Sequence, residues 1–145
     1  MKVNILNQQD IFEVSQDVLS SVVKAFFAHE NITIDEISIF LVDDKKISDL
    51  HNQFFNDSSP TDCISFPIDK IGTPFCYLGD IFISTETALA YAKAHNLCPF
   101  SEVALYLVHG LLHLIGYNDV TEKDLQTMRK KEKSCIHYLK EKKLI

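Results

Sequence analysis

The segment from Phe100 to Asp119 leaves this chain the least conformational freedom. Its apolar residues read as a helix from about Phe100 to Leu114. Gly116 halts that helix, because glycine takes the left-handed conformation that ends a helix and reverses the chain. Two histidines, His109 and His113, stand four residues apart within it and so project from one face, about 5–6 Å apart at Cβ. Both imidazoles can therefore reach one metal ion. The reversal at Gly116 carries the following residues back towards the rings, and Asp119 arrives where a third ligand is required.

The resulting spacing, H-x3-H-x2-G-x2-D, matches that of metzincin-type zinc sites, H-E-x-x-H-x-x-G-x-x-H, with a carboxylate in the third ligand position. Three protein ligands with a fourth position open is the arrangement of a catalytic zinc; a closed structural site has no place for water. Such an ion lowers the pKa of bound water to about 7 and polarises a phosphoryl or carbonyl oxygen, so hydrolysis is the natural chemistry. Zinc peptidases use the Glu after the first His as general base, and here that position is Gly110, which counts against a peptidase. A bare H-x3-H on an apolar helix is commonly structural; the glycine stop and the third donor are what turn the reading towards one bound Zn²⁺.

A chain of 145 residues, 46% of them hydrophobic, can bury one sizeable core and is short for two, so residues 1–145 read as a single domain. The start, Met1-Lys2-Val3-Asn4, turns polar at once, and no apolar run approaches the ~20 residues that span a bilayer. A soluble, cytoplasmic protein with no membrane partner is expected. Cys63, Cys76, Cys98 and Cys135 lie far apart without a CxxC pair and read as reduced, mostly buried thiols. The net charge of −6 argues against a uniformly basic nucleic-acid binder, but its distribution is uneven. Residues 1–120 carry 6 basic and 16 acidic side chains, a balance of −10, whereas residues 121–145 carry 8 basic and 4 acidic, a balance of +4. A basic terminal helix is usually a solvated face; its other reading is a surface turned to RNA or the ribosome.

The rest of the chain reads as strand, helix, strand, helix, two strands, then helices. The strands are expected near 2–6, 37–42, 63–67 and 77–83. The helices are expected from about Ile11 to His29, from Asp43-Asp44 through Phe54, from Ser84 or Thr85 through Ala92, from Phe100 to Leu114 and from Thr121 to Lys143. Thr121 with Asp124 has the form of a capping box with a shortened acid. This order suggests an α+β fold with a small mixed sheet of about four strands packed with helices, one of which bears the metal site.

Beyond the spacing, His109-Gly110-Leu111-Leu112-His113-Leu114-Ile115-Gly116-Tyr117-Asn118-Asp119 resembles the signature of the YbeY family, H-G-x-L-H-L-x-G-Y-D-H. Pro60 to Pro67 (PTDCISFP) looks like that family's P-T-D-V-L-S-F-P, and Leu78 to Ser84 (LGDIFIS) like its L-G-D-I-x-I-S. The resemblance implies an α+β topology and a metal in a cleft beside the sheet. It also implies cleavage of single-stranded RNA, maturation of the 3′ end of small-subunit ribosomal RNA, and ribosome quality control. The expected partners are an rRNA precursor and the ribosome or its small subunit.

The sequence departs from the family pattern twice. Asp119 replaces the third metal histidine, with Asn118 before it; a carboxylate is a good oxygen ligand for Zn²⁺, so altered affinity and a less positive metal are expected. Phe55 replaces an arginine that lines the family's cleft, and Arg129 is the only arginine in the chain. Asp80 has two readings, as orienting group or structural hydrogen-bonder, and so has Ser65. Phe54 and Phe55 read either as base-stacking residues or as helical packing. Three functions follow: a zinc-dependent single-strand endoribonuclease, a catalytically weak ribosome-assembly factor with a retained metal, or a metallohydrolase acting on a small phosphoester or amide. RNA turnover and its dependence on the metal discriminate between them.

Overall fold

The computed structural model describes all 145 residues. The elements run β1 (Lys2–Asn7), α1 (Gln16–Glu30), β2 (Glu36–Val42), α2 (Asp44–Phe55), β3 (Cys63–Pro67), β4 (Tyr77–Ser84), α3 (Thr85–His95), α4 (Pro99–Leu114) and α5 (Glu122–Glu141). The strands form one mixed sheet in the order β1-β2-β4-β3. β1, β2 and β4 are parallel, and β3 pairs antiparallel with β4 at one edge. The expected α+β class, four strands and five helices are all present.

Local chemistry explains the boundaries. Ser15, Asp43, Ser84 and Thr121 each accept a hydrogen bond from a backbone N–H in the first turn of α1, α2, α3 and α5. Asn31, Asn56 and Asn96 end α1, α2 and α3 in the left-handed conformation, which asparagine tolerates better than most residues. α1 begins five residues later than the Ile11 start expected from periodicity. The Gln9 side-chain oxygen accepts from the N–H groups of Ile11 and Phe12, which diverts that stretch into a bend, and Ser15 then starts the helix. At α5, Thr121 accepts from the Asp124 N–H at 3.0 Å. The reciprocal bond of a capping box is not made, since Asp is one methylene shorter than Glu.

One sheet face carries Ile37, Ile39, Leu41, Ile81 and Ile83 into the main core, where they meet α1 and α4. Fully burying such side chains stabilises a fold by about 1.5–3 kcal/mol each. α4 is buried along most of its length, with Val103, Leu107, Val108, Leu111 and Leu112 inaccessible, because the sheet, α3 and α5 surround it. The other face is covered in part by α2, through Ile47 against Val42 and Ile64. Between β2 and β4 the register slips from Glu36↔Tyr77 to Ser38↔Asp80, an irregularity that brings Tyr77 and Asp80 onto one face. No helix is long and apolar enough to cross a membrane.

Candidate metal centre

α4 turns His109 and His113 away from the core at its C-terminal end, where their side chains are 21% and 28% exposed. Gly116, at φ 110°, reverses the chain. The Tyr117 N–H returns to the Leu112 carbonyl at 3.0 Å, and the Tyr117 carbonyl lies 2.9 Å from His113 Nδ1. Three residues after Gly116 the Asp119 carboxylate faces both rings. The Nε2 atoms of His109 and His113 are 3.0 Å apart, and Asp119 Oδ2 is 3.4 Å from each. The three residues singled out in the sequence are thus brought together, and Asn118 is not part of the cluster.

These separations suit a cation. Ligand atoms ~2.0–2.1 Å from a tetrahedral zinc lie ~3.3 Å from one another, close to the three distances found. Two imidazole nitrogens and a carboxylate oxygen also form a donor set typical of catalytic zinc. The far nitrogen of each ring is fixed: His113 Nδ1 by the Tyr117 carbonyl, and His109 Nδ1 by Glu132 Oε2 at 2.9 Å. Both partners accept from an Nδ1–H, which selects the tautomer whose Nε2 lone pair faces the cluster. The hydrogen bond to Glu132 raises the His109 pKa above the ordinary imidazole value, against the opposing effect of burial. Glu132 was not legible in the sequence: it lies 23 residues from His109, on α5, and only helix packing joins them.

Gly110 is explained by the same packing. A Cβ on this residue would lie 2.9 Å from Ile81 Cγ2 and 3.0 Å from Ser65 Oγ, so the position after the first histidine has no room for a side chain. Ser65 instead donates to the Gly110 carbonyl at 3.1 Å and ties α4 to β3. Asp80 lies on the opposite sheet face from α4, paired in register with Ser38 and hydrogen-bonded to the Tyr77 hydroxyl. Of its two sequence readings, the structural one holds.

A cleft of about 380 Å³ opens beside His113, lined by residues from α2 (His51, Phe55), β3 (Cys63, Ser65, Pro67) and the end of α4. Burial pushes the Cys63 thiol well above its usual range, which keeps it protonated and weakly nucleophilic. A second groove of about 430 Å³ runs along α5 past Arg129, Lys133 and Lys140 and includes Glu132 in its wall. None of these three cations has an acidic partner. Arg129 therefore lines the same groove as the metal cluster's supporting carboxylate, outside the cleft that holds Phe55.

Another group of donors, His29, Glu30 and Cys135, also lies close together. Its charge is already met: Lys131 Nζ sits 2.6 and 2.8 Å from the two Glu30 oxygens. Burial raises the Cys135 thiol to about 11. This cluster docks α5 on α1.

A buried helix that presents two histidines, with a carboxylate carried back to them by the turn that follows, beside an open cleft and backed by a mixed four-stranded sheet, defines an α+β protein with a hydrolase-like site. Comparison with known proteins makes the assignment specific. The family model described as Endoribonuclease YbeY matches residues 2–140, and the chain belongs to the YbeY family of endoribonucleases. Endoribonuclease YbeY of Protochlamydia amoebophila is 44% identical over 143 residues, covering 98% of this chain and 95% of that protein. The Chlamydia pneumoniae protein of the same name is 33% identical, covering 98% and 93%. The fold is shared with a solution structure from Thermotoga maritima, with a TM-score of 0.67 at 22% identity, covering 94% of this chain and 88% of that one.

Proposed function

We propose that this chain is a zinc-dependent endoribonuclease that cleaves single-stranded RNA in the cytoplasm, acting in 3′-end maturation of small-subunit rRNA and in ribosome quality control. His109, His113 and Asp119 hold one Zn²⁺. The convergence of their three donor atoms within 3.0–3.4 Å carries the reading. A divalent ion at this position supplies Lewis acidity and lowers the pKa of a coordinated water to about 7.

The chain's own residues do the rest. Glu132 and the Tyr117 carbonyl orient the two rings and hold their Nδ1 protons. Ser65 fixes the helix at Gly110, and Gly110 leaves no place for a peptidase-type carboxylate. Arg129, Lys133 and Lys140 offer unpaired positive charge along α5 to the phosphates of a strand reaching the site, despite a net charge of −6. The ribosome or its small subunit is the setting in which that strand is met.

The test is cleavage of a single-stranded RNA by the purified protein with its zinc content measured, against His109→Ala and His113→Ala in the same salt. Wild type holding about one zinc and cutting, with both variants doing neither, is the expected result. Bound zinc with intact RNA would instead favour the assembly-factor reading.

A further inference from the structure

We propose that Phe55, with the His51 ring beside it, forms a stacking shelf for an unpaired nucleobase of the RNA strand, next to the metal cluster. The proposal rests on the endoribonuclease reading and adds to it how the strand is gripped.

Consecutive residues at the end of α2 diverge. The Phe54 ring meets Phe66 edge-on at 4.9 Å and joins an aromatic row that continues through Phe82 to Phe40 across the sheet face. Phe55 has no place in that row. Its only aromatic neighbour is His51, at a centroid distance of 5.6 Å; the two phenylalanines are about equally exposed, 55% and 56%, but it is Phe55 that lines the cleft that ends at His113. The shelf is held in position: His51 Nδ1 lies 2.9 Å from the Ser59 carbonyl, and Asn56, at φ 55°, turns the chain directly after Phe55.

The lining of the cleft selects its occupant. Phe55, Ile64, Pro67 and Leu114 make apolar walls, Thr61 and Ser65 add hydroxyls, and no lysine or arginine is present. Away from the His113 end a phosphate finds no permanently charged cation to pair with, whereas a flat heterocycle with polar edges finds both a ring to stack on and groups to hydrogen-bond. The unpaired cations lie along α5 instead. Base and backbone are thus received by different surfaces, and only a strand with its base free can use both. A duplex, whose bases are already stacked and paired, has no base to offer the shelf.

Binding of a short single-stranded RNA to wild type, Phe55→Leu and Phe55→Tyr tests this, together with the same RNA carrying one abasic position next to the cleavage point. Leucine keeps an apolar side chain without a π face. Phe55→Leu is expected to bind about ten- to a hundredfold more weakly and Phe55→Tyr about as well as wild type. The loss persists at high salt, because stacking releases no counterions. Wild type loses a similar factor on the abasic RNA, and Phe55→Leu loses little more, the non-additivity that marks a direct contact. Zinc content and thermal midpoint of each variant check that folding is intact. Wild type that cuts RNA while Phe55→Leu binds equally well, or additive losses on the abasic strand, would overturn the shelf alone. Wild type that neither binds nor cuts overturns the endoribonuclease reading and the shelf with it.

Discussion

Replacing Glu132 with alanine isolates what a residue outside the ligand set contributes to the metal centre. Its Oε2 lies 2.9 Å from His109 Nδ1, both side chains are largely shielded, and no other group is within hydrogen-bonding distance of that nitrogen. A hydrogen bond to a charged acceptor is worth about 1.5–3 kcal/mol, against about 0.5–1.5 for a neutral pair. Loss of such an outer partner typically lowers metal affinity about 10- to 100-fold. Glu132→Ala should therefore weaken zinc binding by one to two orders of magnitude. Glu132→Gln, which keeps an acceptor without the charge, should cost about 1–1.5 kcal/mol, close to tenfold. Competition against a chromophoric chelator at neutral pH reads both variants directly. Zinc held as tightly by Glu132→Ala as by wild type would refute the assignment of Glu132 as the residue that positions His109. Equal losses in the two variants would show that charge, rather than the bare presence of an acceptor, is what Glu132 supplies.

Three further outcomes are expected. Gly110→Glu, which restores the residue that zinc peptidases carry, forces a carboxylate against Ile81 and Ser65 and should lower the thermal midpoint by about 10 °C without creating peptidase activity, as scanning calorimetry and a peptide substrate would show. Charge reversal at Lys133 and Lys140 together should weaken RNA binding about equally for all sequences and flatten the plot of log affinity against log salt by about 0.7 for each cation that meets a phosphate; an unchanged slope would remove α5 from the binding surface. Cys98 is exposed, and its thiol lies below the usual range because it faces the backbone N–H of Ser101 at the start of α4, whereas burial raises Cys63, Cys76 and Cys135. Its thiolate fraction at a given pH is therefore higher, so one thiol per chain should alkylate rapidly, with a half-maximal rate at lower pH than for a free cysteine, and Cys98→Ser should abolish that fast phase, as mass spectrometry would detect.

What the sequence determined by itself is local in origin. Helical spacing put His109 and His113 on one face. The glycine at position 116 announced a reversal that needs positive φ, and three residues beyond it are too few to carry Asp119 far from the rings. The strands and helices were legible for the same reason, since period and capping residues act within a few positions; the Ile11 to Ser15 stretch misled, because Gln9 competes there for the backbone, and α3 runs on past the expected Ala92 to His95. Tertiary structure alone decided what depends on elements distant in the chain. Glu132 reaches His109 across 23 residues through α4–α5 packing, and Gly110 is obligatory because α4 lies directly against β3 and β4. The sheet's register puts Asp80 on the face away from the metal cluster. Phe54 and Phe55 look alike in the sequence and are about equally exposed, but one ring meets Phe66 on the sheet and the other lines the cleft, because a helix turns about 100° per residue and only the position of the sheet says what each direction meets.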